Sequence, residues 1–214
     1  TMLSEYLSEK GYTTGCYGKW HMGAMPGELP NDRGFDDFRG FLSGTHSYWV
    51  TEQRSRILHN RIADDTEGHT TELFTQWSED FIRESVSQDK PFFCYLAYNA
   101  VHGPIRTEES KPASAPKEWV DKALARGVSF LRSDYVAILE HMDYNIGKLV
   151  DLLDELKIAN NTLIVFVSDN GGCTMEGGSG GRYPGNNGPY RGSKATTYQG
   201  GLSVPFLINW KGQV

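Results

Sequence analysis

The chain has 214 residues, a formal net charge of −6 at pH 7 and a hydrophobic share of 38%. That length suits one sizeable core or most of one larger α/β domain. The acidic balance excludes nucleic acid as a bulk electrostatic partner, and no apolar run nears the roughly 20 residues of a membrane span.

Residue 1 is Thr and no charged-then-apolar leader follows it. The sequence therefore reads as starting inside a longer chain, and the compartment is left open. Leu3, Tyr6 and Leu7 recur at helical spacing, predicting a helix over residues 1–10 stopped by Gly11. Residues 12–18 form a short strand rich in Tyr and Thr. Residues 23–59 carry Gly, Pro, Asn and Asp throughout and read as a long irregular connection. Leu73, Trp77 and Phe81 mark a helix over about 70–86. The nearly all-apolar stretch 91–98 reads as a buried strand.

A second long helix is predicted from about 129 to 156, with Tyr135, Ile138, Leu139, Met142, Ile146, Leu149, Leu153 and Leu156 as its buried stripe. Residues 162–168 are a β-branched, buried strand. Residues 171–192 are a Gly-rich loop, and 204–209 is a last apolar strand. This alternation predicts an α/β fold: a mostly parallel sheet with helices on both faces. Cys16, Cys94 and Cys173 form no CxxC pair, and their odd number argues against a disulfide framework. Cys94 sits in an apolar run, as a small hydrophobe would.

In open α/β sheets ligands bind beyond the carboxyl ends of the strands. The first predicted strand runs into Gly18-Lys19-Trp20-His21, the second into Asn99 and His102-Gly103-Pro104, the third into Asp169-Asn170-Gly171-Gly172. Lys, His, His, Asp and Asn thus gather on one rim. Asp169 and Asn170 offer hard oxygen donors suited to Ca²⁺ or Mg²⁺ rather than zinc, though two donors do not complete a shell. Taken alone, a strand-end Asp-Asn-Gly is more often a turn, because Asn and Gly tolerate positive φ. Lys19 and His21, if extended, point to the same side and could hold an anion and pass a proton. In isolation the reading as an exposed lysine beside a partly packed histidine wins, and His102 could equally be a satisfied core histidine.

The stretch GYTTGCYGKWHMG (residues 11–23) resembles the second signature of the sulfatase family. RGFDDFRGF (33–41), PFFCYLAYNAVHGPI (91–105), NTLIVFVSDNGG (161–172) and YRGSKATTYQGGLSVPFLINWKG (190–212) are similar to further segments of that family, in its order and over nearly the whole chain. The resemblance implies an alkaline-phosphatase-like α/β fold and hydrolysis of an aryl or carbohydrate sulfate ester with a divalent cation, usually Ca²⁺. It implies that Asp169 and Asn170 ligate the cation and that Lys19 and Lys194 hold sulfate oxygens. His21 would take the nucleophile's proton, and His102 would act as general acid toward the leaving alcohol.

The family's nucleophile is a formylglycine, made from the Cys or Ser of Cys/Ser-x-Pro/Ala-x-Arg. No cysteine here lies in that motif. Residues 1–214 are therefore expected to be part of a sulfatase catalytic domain whose nucleophile segment, a further aspartate pair and a C-terminal subdomain lie elsewhere. The fragment alone is expected to be inactive. A periplasmic, secreted or lysosomal setting is what the family implies. Asp64-Asp65 mimics the aspartate pair but reads as helix-start or surface carboxylates. Residues 177–181 fit G-x-S-x-G but lack the strand and helix of a nucleophile elbow. Asn160-Asn161-Thr162 is a glycosylation sequon. Gln199 and Ser203 depart from the Glu and Arg common in the family, and both positions look structural. Two alternatives stay open: a phosphoester or phosphonate hydrolase of the same superfamily, and a non-catalytic binder of sulfated glycans. Substrate choice is expected to lie in residues 24–59 and 106–127, with His46, Trp49 and Trp119.

Overall fold

The computed structural model describes residues 1–51, 56–103, 105, 112–174 and 185–214. The G-x-S-x-G run at 177–181, Pro104 and part of each glycine-rich or rim segment lie outside the described residues. In chain order the elements are α1 (Leu3–Glu9), β1 (Thr13–Lys19), β2 (Asp37–Phe41), β3 (Trp49–Val50), β4 (Ile57–His59), β5 (Ile62–Asp64) and β6 (Gly68–His69). There follow α2 (Thr70–Ser87), β7 (Phe92–Ala97), α3 (Lys117–Ala125), α4 (Phe130–Glu155), β8 (Ile164–Val167), α5 (Gln199–Leu202) and β9 (Phe206–Asn209).

The main sheet has the order β5-β4-β2-β1-β7. β1 pairs parallel with both β2 and β7, while β4 and β5 join antiparallel on the far side. Neighbouring residues on a strand face opposite ways, so β1 feeds two cores. Tyr17 packs with Phe41, Phe74 and Trp77 under α2, and Cys16 packs with Trp20, Phe35 and Phe38 on the other face, with Met2 ahead of α1 against them. The fold is α/β, mostly parallel at its centre and covered on both faces.

Four expectations need correction. The 23–59 connection holds β2 at the heart of the sheet. Its polar, glycine-containing sequence hides it, because pairing with β1 rather than an apolar pattern makes it a strand. Residues 117–125, expected as rim loop, are helix α3, which packs on α4 through Val120, Ala123, Ala137 and Ile138. The buried face of α4 includes Ile138, Met142 and Leu153 but also Asp134, His141 and Asn145, whereas Leu139 is exposed. Choosing the stripe by apolarity alone missed polar groups that are buried. β8 alternates exposed and half-buried residues instead of being buried on both faces, because among the described residues it pairs only with β9, antiparallel.

The acidic decoy is a surface feature, as expected, but not a helix start. Asp64 ends β5 and accepts from the Thr66 backbone N–H at 2.9 Å, and α2 begins only at Thr70. The sequon's Asn160 is exposed in a short turn between α4 and β8. All three cysteines are free, and burial pushes the Cys94 thiol up to about 12 and that of Cys16 upward as well.

Candidate active site

The carboxyl end of β1 delivers Lys19 level with Phe41 of β2. Trp20 is anchored in the core, and its indole N–H donates to the Glu28 carbonyl at 2.9 Å. His21 then departs from the extended geometry assumed for it. Its φ is 49°, its N–H reaches the Leu42 carbonyl at 3.2 Å, and its ring lies over Gly44, where an added Cβ would stand 2.5 Å from the imidazole. The strand alternation that would pair it with Lys19 stops at this residue.

After β7 the chain is pinned from below. Asn99 is buried and its Oδ1 accepts from Thr70 Oγ1 at 3.0 Å. The Tyr48 hydroxyl donates to the carbonyls of Asn99 at 3.2 Å and His102 at 2.8 Å. His102 Nδ1 lies 2.8 Å from its neighbour's carbonyl, Gly103 O. That contact requires the proton on Nδ1 in the neutral ring, which leaves Nε2 as the basic nitrogen. Thr45 Oγ1 donates to the same Gly103 carbonyl at 3.0 Å. The loop carrying Gly44 and His21's ring is thereby tied to the loop carrying His102.

Beyond β8, Ser168 Oγ donates to the Asn170 carbonyl at 3.0 Å and the Asn170 amide nitrogen donates to Gly171 O at 3.0 Å. Asn170 thus has Oδ1 left to present. Asp169 is exposed. Gly171 N–H donates to Gly201 O at 3.0 Å, and Lys194 N–H donates to Gly172 O at 3.1 Å. Asn187 completes the joint: its Oδ1 accepts from Gly172 N–H at 2.9 Å, and its amide nitrogen donates to the carbonyls of Gly172 and Gly192. Lys194 is held against the Asp169–Gly172 turn by backbone bonds rather than by its own side chain.

The electrostatics show which groups share a neighbourhood. His102 is held below the usual imidazole value, by burial first, then by Lys194 and Lys19, with Gly103 and Asp169 pulling the other way. Lys19 is likewise lowered, chiefly by burial, with Asp169 opposing and Lys194 adding to the effect. Lys19, His102, Asp169 and Lys194, from four separate segments, therefore act on one another. Asn170 adjoins Asp169, and His21 is tied to this group through Gly44, Thr45 and Gly103. Sequence reasoning missed Tyr48, Thr45 and Asn187, all of which hold backbone. Their signal is a hydrogen bond to a distant carbonyl or amide, which no local pattern encodes.

Two lysines and a histidine around a carboxylate and an amide oxygen suit a small oxyanion beside a hard cation. Among the described residues no group of three or more His, Cys, Asp or Glu could hold a metal ion. The donors present fit Ca²⁺ or Mg²⁺ in kind but supply only part of the six or more oxygens a Ca²⁺ shell takes.

An α/β protein whose strand ends bring two lysines, a histidine, a carboxylate and an amide together is the class that fold and candidate site define. The family description "Sulfatase" matches residues 1–214. N-acetylgalactosamine-6-sulfatase of Homo sapiens is 30% identical over 227 aligned residues, covering 100% of this chain and 40% of that protein. Arylsulfatase J of Mus musculus is 31% identical, covering 97% of this chain and 34% of that one. The solved structure of Ps i-CgsB superposes with a TM-score of 0.84 at 33% identity, over 99% of this chain and 47% of that chain, and another holds the same protein with k-i-k-neocarrahexaose. This chain belongs to the sulfatase family. It spans 40% or less of the length of these two curated relatives.

Proposed function

We propose that the protein hydrolyses sulfate esters, with the pocket of Lys19, His102, Asp169 and Lys194 as its sulfate site. The observation that carries this reading is the mutual influence of those four groups. Two cations flank one imidazole whose proton-accepting nitrogen is left unengaged by the Gly103 contact. Lys19 and Lys194 bind the sulfate oxygens and offset the charge that develops on them as the ester bond breaks.

His102, protonated at Nε2, gives that proton to the departing oxygen. Its lowered pKa makes it a stronger acid but a less populated one. An anionic sulfate between the lysines offsets their field, favours the imidazolium and so loads the acid only when substrate is present. His21, whose ring lies against Gly44, is the residue we assign to take the nucleophile's proton. Asp169 and the Oδ1 of Asn170 would hold a divalent cation, which supplies Lewis-acid stabilisation of the sulfate oxygens when bound. Neither Cys16 nor Cys94 is a candidate nucleophile, since burial keeps both as thiols.

The substrate class we favour is a sulfated sugar. The relatives named for N-acetylgalactosamine-6-sulfate and for neocarrahexaose binding support it. The test compares release of sulfate from sulfated galactose and N-acetylgalactosamine oligosaccharides with hydrolysis of p-nitrophenyl phosphate. Assays use a protein that contains this chain at the length of its relatives. Sulfate release that falls about 10²- to 10³-fold in Lys194→Ala is expected. Preferential turnover of the phosphate ester would point to the phosphohydrolase reading instead. Saturable binding of the sulfated sugar with no sulfate release would point to the non-catalytic glycan binder.

A further inference from the structure

A second pocket, of about 310 Å³, lies among α2, α3 and α4. None of its lining residues belongs to the sulfate site. Its wall carries two polar side chains that are almost wholly buried, His141 at 2% and Asn145 at 1% exposure. His141 Nε2 lies 3.0 Å from Glu72 Oε1 and donates to it, leaving Nδ1 as a lone-pair acceptor. Asn145 gives its amide nitrogen to the His141 carbonyl at 2.8 Å, leaving Oδ1. Among the described residues neither His141 Nδ1 nor Asn145 Oδ1 has a hydrogen-bond partner. Buried acceptors without partners cost free energy, and a pocket that adjoins them is where partners can come from.

We propose that this pocket binds an uncharged sugar unit, forming an accessory glycan site separate from the sulfate site. Both orphan atoms are acceptors, so the occupant must donate. That excludes sulfate, phosphate and carboxylate. An organic cation donates too, and Glu72 and Glu118 line the wall. Glu72, however, already accepts from His141 Nε2, while Lys148 on the same wall and Lys122 Nζ, 4.4 Å above the Trp119 ring, set positive charge against Glu118. Sugar hydroxyls both donate to His141 Nδ1 and Asn145 Oδ1 and accept from Lys148. Trp119 and the exposed Tyr144, ring centroids 5.5 Å apart, supply apolar surface for the C–H face of a pyranose. The volume falls at the low end of small-molecule pockets.

The experiment titrates the protein with neoagarotetraose, an unsulfated neutral tetrasaccharide, and follows the Trp119 indole N–H by NMR. A saturable shift, weakened about fivefold in Tyr144→Ala, is expected, and likewise in Asn145→Leu. Tyr144 is exposed, so its substitution leaves the fold to be verified by an unchanged melting curve. Lys194→Ala, in the sulfate site, should leave this binding as it was. No saturable shift up to tens of millimolar would overturn the proposal, since the orphan atoms would then be satisfied by water alone. A shift indifferent to Tyr144→Ala, or tighter binding of spermine than of the tetrasaccharide, would overturn it too. The probe carries no sulfate and the readout is binding, so failure here leaves the hydrolase reading standing, and the converse holds.

Discussion

Gly171 meets Gly200 so closely that a Cβ added to Gly171 would stand 1.9 Å from the Gly200 carbonyl oxygen. That approach lets Gly171 N–H bond Gly201 O and sets the turn bearing Lys194 against the turn bearing Asp169. The electrostatics of the proposed sulfate site rest on a contact that has no charge in it.

Gly171→Ala is therefore expected to destabilise the fold by about 1–3 kcal/mol, the usual cost of overpacking a site with rigid backbone opposite. Thermal denaturation reads the loss. The same variant should move the His102 titration upward as Lys194 withdraws. A melting temperature and a His102 titration both matching the parent chain would refute the joint.

His102 itself reports on the lysines. Its pKa is depressed by burial and by Lys194 and Lys19, so Lys194→Met should raise it, and Lys19→Met should raise it less. Adding inorganic sulfate should act in the same direction, because an anion between the lysines favours the imidazolium. Histidine C–H resonances followed against pH measure all three. A downward shift in Lys194→Met would contradict the arrangement.

His69, at the start of α2, predicts acid lability. Thr71 N–H donates to its Nδ1 at 3.3 Å, and its Nε2 faces Ser114 O at 3.1 Å, so the neutral ring is fully engaged. Burial first, then the neighbouring His141, lowers its pKa from 6.5 to about 3. The folded value lies below the unfolded one, so this stabilisation is fully present above about pH 6.5 and is lost as pH falls toward 3. The slope contributed approaches about 1.4 kcal/mol per pH unit. Urea midpoints across that range should fall steeply in the parent chain and less steeply in His69→Phe. Parallel slopes would show that another group controls acid unfolding.

Tyr48→Phe removes one hydroxyl that serves two carbonyls, those of Asn99 and His102. The expected cost is about 1–2 kcal/mol, read from chemical denaturation. In the active protein it should also lower turnover without weakening substrate binding, because the imidazole loses its fixed orientation while the lysines keep theirs. An unchanged turnover rate would remove Tyr48 from the positioning of His102.

The chain is also expected to release no sulfate from p-nitrophenyl sulfate when assayed as these 214 residues alone, as none of its cysteines lies in the formylglycine motif. Measurable turnover would show that another nucleophile operates.

Much of this was legible in the residues. Apolar run length and helical spacing located α2, α4, β1 and β7 to within a few residues, and the strand ends named Lys19, His102, Asp169 and Asn170 before any coordinates. These signals are local: helical spacing and runs of strand-forming residues lie within one segment, and a ligand rim follows from where the strands stop. The strand β2 was invisible because Asp37-Phe38-Arg39-Gly40-Phe41 has no strand pattern of its own and becomes a strand by pairing with β1. Asp134, His141 and Asn145 disappeared from the α4 stripe because polarity predicts exposure, and only packing places such groups inside.

What the sequence by itself determined is the type of chemistry at each strand end, since side-chain chemistry and strand direction are properties of short segments. What only the tertiary structure decided is proximity. The turn of His21 out of the strand, the docking of Lys194 beside Asp169 through Asn187 and paired glycines, and the clasp of Tyr48 on the His102 loop all depend on hydrogen bonds and close backbone contacts between residues far apart in the chain. Such contacts exist only once the chain has folded.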